Sequence, residues 1–181
     1  MKNTGVETDE QGFIKVNDYL ETSKEHIWAF GDAIGKHMFR HVANREALVA
    51  LHNGLYSEKI KMDYHAIPHA VFSHPQIASV GLTEEQARKE HEILVGKAHY
   101  SEVAMGEAMM EIESFAKAIV DKQSRKILGF HIIGPYAPIL IQEVSTTMAN
   151  DRDMMFIAKG MHIHPALPEL ILVTLQNLRP A

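Results

Sequence analysis

The chain has 181 residues, with 18 basic against 23 acidic side chains and a formal charge of −5. That is room for one full domain and an appendage, and with 46% hydrophobic and 23% charged residues and a mean hydropathy of −0.13 it lies outside the composition of disordered chains. Scattered Lys and Arg argue against a nucleic-acid partner, no apolar run is long enough to span a membrane, and the lack of cysteine excludes a disulfide framework, a zinc ribbon and any thiol chemistry carried by this chain alone.

The opening stretch, MKNTGVETDEQGF, is polar and acidic and has no apolar segment of a secretory signal, so a cytoplasmic protein is expected. Alternation after a turn signal predicts a short strand over Phe13–Val16, and Ile27–Phe30, closed by Gly31-Asp32, reads as a second, buried strand. Good helix formers with Val42, Leu48, Leu51 and Leu55 predict a helix over 42–60. Composition changes at Asp63–Pro68, where proline disfavours helix at the residue before it, and the boundary falls there, giving units 1–62 and 63–181.

Short strands are expected at Ala70–Phe72 and Ala78–Val80. Thr83 with Gln86 has a capping-box pattern opening a helix to about His91, and Ile93–Tyr100 reads as strand. Phe115–Asp121 and Lys126–Ile133 form the clearest hairpin, joined by the polar residues 122–125. Leu140, Val144 and Met148 recur four apart, as a helix buried on one side requires, and Leu167–Leu178 is apolar enough for a buried helix. Strands first and helices afterwards indicate an α+β fold, an antiparallel sheet with helices packed on one side.

The sharpest local feature is His162-Ile-His164-Pro-Ala-Leu-Pro-Glu169, just before the last helix. Pro165 pushes His164 out of the helical region, and Pro165 and Pro168 are tolerated among the first helical positions, whose N–H groups lack intrahelical partners. An extended His164 can then fold back to Glu169, whose carboxylate would fix one imidazole nitrogen and leave the other for proton transfer. The residues by themselves favour a helix-capping His164 beside a solvated first-turn Glu169, because paired His and Glu are common and short motifs often mislead. His162 and His164 lack a third metal ligand, and His37 and His41, though four apart, lack the glutamate of a helical metal motif, so no metal site is expected. The ten methionines are dispersed as gap-filling residues.

Three ordered groups of residues carry a resemblance. Gly12-Phe-Ile-Lys-Val, Thr22, Ile27-Trp-Ala-Phe-Gly-Asp32 and Met38-Phe-Arg-His-Val-Ala43 resemble the end of the flavin domain of pyridine nucleotide-disulfide oxidoreductases. The run from His69 to Glu84, Gly129-Phe-His-Ile-Ile-Gly-Pro135 and His162-x-His-Pro-x-x-x-Glu169 look like landmarks of that family's dimerisation domain. The resemblance covers nearly the whole chain, and it turns the reading of His164 from cap to acid/base.

What it implies is a dihydrolipoamide dehydrogenase-like enzyme using FAD, NAD(P)H and a cysteine pair on a disulfide or dithiol substrate. Residues 1–62 would be the remnant of the FAD-binding domain and 63–181 the dimerisation domain of a homodimer. Asp32 would hold the flavin ribityl chain, and Met38, Phe39, Arg40 and His41 would pass the flavin ring. His164 would be the acid/base serving a thiol of the partner subunit, with Glu169 orienting it. No G-x-G-x-x-G occurs, so the chain reads as a C-terminal fragment, expected to retain no cofactor and to be inactive by itself. The chain ends without vicinal cysteines, which sets it apart from mercuric reductases. Pro168 and Arg40 depart from the common dihydrolipoamide dehydrogenase pattern and leave lipoamide, glutathione-type and mycothiol-type substrates open. A non-catalytic module that only pairs larger chains is the alternative.

Overall fold

A computed structural model describes residues 3–181; the first two residues of the polar opening stretch lie outside the described residues. The chain divides into two compact units, Met1–Tyr64 and His65–Ala181.

In the first unit, the expected strands at 13–16 and 27–30 shrink to single bridges, Thr8 with Ile14 and Glu21 with Trp28. An extended segment becomes a strand only when a ladder partner satisfies its backbone, and neither segment finds a continuous one. A 3-10 turn spans Gly31–Ile34. Helix α1 runs Arg40–Leu55, starting before and ending short of the 42–60 expected. Its stripe also differs, because Leu48, Leu51 and Leu55 are exposed while Val42, Glu46, Val49, Ala50 and Asn53 are buried. The buried polar pair is satisfied. The Asn53 amide donates to the Tyr19 and Ile60 carbonyls and its oxygen accepts the Ile60 N–H, which closes the chain after the helix at 2.8–2.9 Å. Gly35, at φ 65°, ends the 3-10 turn where a Cβ would collide with the Phe13 ring.

The second unit contains β1 (Pro68–Val71), β2 (Ile77–Gly81), α2 (Glu84–Ala87), β3 (Ile93–His99), α3 (Ala104–Ala108), β4 (Phe115–Asp121), β5 (Ile127–Ile133), α4 (Ala137–Asn150), α5 (Met155–Ala158), α6 (Glu169–Gln176) and β6 (Arg179–Pro180). The strands form one antiparallel sheet in the order β1-β2-β5-β4-β3-β6. The expected hairpin is β4–β5, pairing Ala116 with Ile132 and Ala118 with Phe130. Its turn is tied by Asp121, whose Oδ1 accepts the N–H groups of Gln123 and Ser124 and the Ser124 hydroxyl.

Alternation puts Ala98, Ala116, Ala118, Phe130 and Ile132 in one core with Leu140, Ile141, Val144 and Met148 of α4 and Leu170, Ile171 and Leu175 of α6. Alanines beneath α4 and α6 let the helices approach. At Gly96 the approach is so close that a Cβ there would collide with the Thr174 carbonyl of α6. A second cluster joins Ala87 of α2 to Ile93, Ile119 and Leu128 of the sheet. Thr83 and Gln86 form the expected reciprocal capping box, but α2 lasts only one turn before the 3-10-like residues that follow. The helices α3 and α5 and the edge strand β6 had no signal, being too short to show a period.

Candidate acid/base pair and cofactor-facing turn

The burial of Leu170, Ile171 and Leu175 sets α6 against the sheet and so fixes where its first residue stands. That residue is Glu169. Pro165 and Pro168 both precede the helix instead of lying in its first turn, and residues 161–168 form a bent segment outside any helix or strand. The bend returns His164 to the helix start, so its Nδ1–H donates to Glu169 Oε1 at 2.9 Å. Ala166 N–H donates to Glu169 Oε2 at 3.0 Å. With both oxygens occupied, the carboxylate has little freedom to turn away from the imidazole.

The Ala166 N–H, then the His164 imidazole, hold the Glu169 carboxyl below the usual carboxylate range. An ionised carboxylate on Nδ1 selects the tautomer that leaves Nε2 as the nitrogen for proton exchange. The His164 side chain is 68% exposed and Glu169 only 22%, so the carboxylate lies inside and the imidazole faces outward. The two residues therefore meet, and His164 does not cap the helix, since no side chain caps α6.

A second pair lies two residues earlier. His162 Nε2–H donates to Glu143 Oε1 of α4 at 3.1 Å, and the His162 side chain is only 7% exposed. No sequence signal could have found it, because the partners lie 19 positions apart with no motif joining them.

In the first unit, Asp32 sits exposed on the Gly31–Ile34 turn. The turn is anchored from inside: Glu46 is fully buried, its Oε2 accepts Gly31 N–H at 2.6 Å and its Oε1 accepts the Tyr64 hydroxyl at 2.7 Å. Burial first and the Glu46 carboxylate next push the Tyr64 hydroxyl well above the usual phenol range. Met38 is exposed, Phe39 and His41 stack at 5.4 Å between ring centroids, and Arg40 opens α1. First-turn N–H groups of a helix point outward instead of to a preceding carbonyl, which suits a backbone-donor role. His37 lies before α1, with its ring 5.2 Å from Tyr64, so it shares no helix face with His41. Among the described residues, no group of three or more metal-ligating side chains comes together.

The turn presents the exposed carboxylate of Asp32 next to the start of α1, a pairing compatible with one edge of a flavin. Among the described residues no strand, glycine-rich turn and helix form a pyrophosphate cradle. The residues present thus fit part of the cofactor and not the whole of it.

Residues 67–174, more than half of the chain, match the family described as pyridine nucleotide-disulphide oxidoreductase, dimerisation domain, and residues 1–47 match the pyridine nucleotide-disulphide oxidoreductase family. A dihydrolipoyl dehydrogenase from Synechocystis sp. is 38% identical over 181 residues, covering 94% of this chain and 38% of that protein. A mycothione reductase from Mycobacterium tuberculosis is 39% identical over 185 residues, covering 98% of this chain and 40% of that protein. The solved structure of the HOCl-induced flavoprotein disulfide reductase RclA from Escherichia coli superposes with a TM-score of 0.88 at 25% identity, covering 97% of this chain and 41% of that one. The chain spans about two fifths of the length of the relatives it matches. The antiparallel sheet with its helices is the fold of the dimerisation domain, and the chain belongs to the pyridine nucleotide-disulphide oxidoreductase family.

Proposed function

We propose that this chain is the C-terminal, interface-forming part of a flavin-dependent disulfide oxidoreductase, acting on a disulfide or dithiol of the lipoamide or mycothiol type. The relatives' printed activities, dihydrolipoyl dehydrogenase and mycothione reductase, support that substrate class. The observation that carries the reading is the His164–Glu169 pair, with both carboxylate oxygens engaged and the imidazole outside.

In thiol–disulfide exchange a thiolate attacks one sulfur, the S–S bond breaks and the departing sulfur takes a proton. His164 Nε2 would take the proton from the attacking thiol and return it to the leaving one, and Glu169 would hold the ring in place and stabilise its charged form. The chain has no cysteine, so the thiols come from substrate and from the rest of the enzyme, with His164 serving the partner subunit of a homodimer. Exposed Phe156, Met161 and Ile163, in the segment leading to His164, and Ile139 on α4 offer apolar surface for a second copy to cover.

FAD supplies the electron relay when bound, and NAD(P)H the reducing equivalents. Asp32 would hold the ribityl hydroxyls and Met38–His41 would line the ring edge, and the remaining contacts would come from outside this chain. Residues 1–62 are then the end of the FAD-binding domain and 63–181 the dimerisation domain. No helix among the described residues is long and apolar enough to cross a membrane, and we place the enzyme in the cytoplasm.

The test is His164→Gln in the complete flavoenzyme. Exchange with the disulfide substrate should slow by about a hundred- to ten-thousand-fold, as for a lost general acid/base, while flavin reduction by the nicotinamide stays near normal. Unchanged exchange would leave only a non-catalytic pairing module.

A further inference from the structure

We propose that His162 and Glu143 form a positioning pair that holds His164 against Glu169 by tying its segment to helix α4. This rests on the acid/base reading of His164. The segment Met161–His164 belongs to no helix or strand, so regular backbone pairing does not place it. Its flanks face outward, Met161 fully exposed and Ile163 at 78%. Only His162 turns inward, to 7% exposure of its side chain, where its Nε2–H meets Glu143 Oε1.

Glu143 stands on a rigid support, since its neighbours Leu140, Ile141 and Val144 are packed in the main core. The bond therefore connects a segment without its own scaffold to one of the best-packed helices of the unit. A further observation marks the histidine as chosen for that bond. Its other nitrogen, Nδ1, is buried with no hydrogen-bond partner among the described residues, a cost that an apolar side chain of similar size would avoid. What the imidazole gains is direction: apolar packing resists separation but does not fix orientation as a hydrogen bond to a carboxylate does. Both histidines of the segment are thus engaged, His164 with Glu169 directly and His162 with Glu143, which fixes the chain just before His164.

The experiment uses Glu143→Ala, Glu143→Gln and His162→Ala in the complete flavoenzyme, with the two half-reactions followed separately and expressed per bound flavin. Glu143 is 35% exposed, so its truncation spares the core. Both alanine variants should slow disulfide exchange by about ten- to a hundred-fold, the scale of an ångström-level misplacement, with the substrate KM and flavin reduction by the nicotinamide little changed. Glu143→Gln, whose amide oxygen still accepts the His162 N–H, should stay within about threefold of wild type. The limb of the pH profile that His164→Gln abolishes should flatten in the alanine variants, whereas simple loss of folded enzyme would scale the profile without changing its shape. His162→Ala combined with His164→Gln should be no slower than His164→Gln alone. Slow exchange in His164→Gln with normal exchange in both alanine variants would overturn the positioning pair and leave the acid/base reading intact. An equal fall in both half-reactions, or an unchanged pH profile, would also overturn it, and normal exchange in His164→Gln would overturn both readings.

Discussion

Glu169 Oε1 lies 2.9 Å from His164 Nδ1 although five residues separate them, because two prolines keep residues 164–168 out of the helix that Glu169 begins. Replacing Glu169 by Gln keeps an acceptor for the imidazole but removes the charge that stabilises its protonated form. Exchange in the complete enzyme should fall by about tenfold, less than for His164→Gln, and Glu169→Ala should fall further. Stopped-flow measurement of the exchange half-reaction checks the order. A Gln variant slower than the His164 variant would contradict the orienting role.

The hairpin turn predicts a pH dependence of stability. Asp121 is drawn down from its ordinary 3.8 to about 2, by the Ser124 N–H first, then the Ser124 hydroxyl and, more weakly, His91 and the Gln123 N–H. A carboxyl with a lowered folded value stabilises above its unfolded value and loses that contribution as pH falls toward about 2. Allowing for solvent screening at a surface turn, the contribution is about 1–2 kcal/mol. Asp121→Asn should lose that amount in denaturant melts at pH 7, and the gap from wild type should narrow at pH 3.

Gly96 connects the fold to the site. An alanine there must displace the Thr174 carbonyl of α6, the helix that Glu169 opens. Overpacking of this kind costs about 1–3 kcal/mol, so Gly96→Ala should lower the melting temperature. It should also slow exchange more than the stability loss explains at temperatures where the enzyme is fully folded. Thermal melts and turnover on the same preparation separate the two effects.

Tyr64→Phe removes the hydroxyl that donates to Glu46 Oε1, a partner that buried oxygen then lacks, while the Gly31 N–H keeps Oε2. The expected loss is about 1–3 kcal/mol, together with faster amide exchange at Gly31 as its anchor loosens. Hydrogen exchange read at Gly31 checks it, and an unchanged rate would show that the turn stands without Glu46.

A second copy should cover the exposed apolar side chains of the 139–163 region. Sedimentation equilibrium at micromolar concentration should show a dimer, and Phe156→Glu, at a side chain that is 61% exposed, should shift the population toward monomer without unfolding it.

Much of the second unit could be read from the sequence because its signals are local. Alternation over Phe115–Asp121 and 127–133 buries one strand face, the four-residue recurrence of Leu140, Val144 and Met148 lines one side of a helix, and Thr83 with Gln86 closes a cap within one turn. The His164–Glu169 motif was also visible, but its spacing fits a cap as well as a contact. Only the packing of α6 on β3 and β4 decided that the two residues meet. Other features depended wholly on tertiary structure. The strand-like runs at 13–16 and 27–30 found only single bridges, since a strand is defined by its partner. Leu48, Leu51 and Leu55 look like a core stripe, yet α1 instead buries Glu46 and Asn53, which hold the Gly31 N–H and the Tyr19 carbonyl far away in sequence. The same is true of His162 and Glu143, 19 residues apart. Periodic burial depends on neighbours along the chain and is written in it, whereas a buried polar group takes its meaning from partners that come near only once the chain has folded.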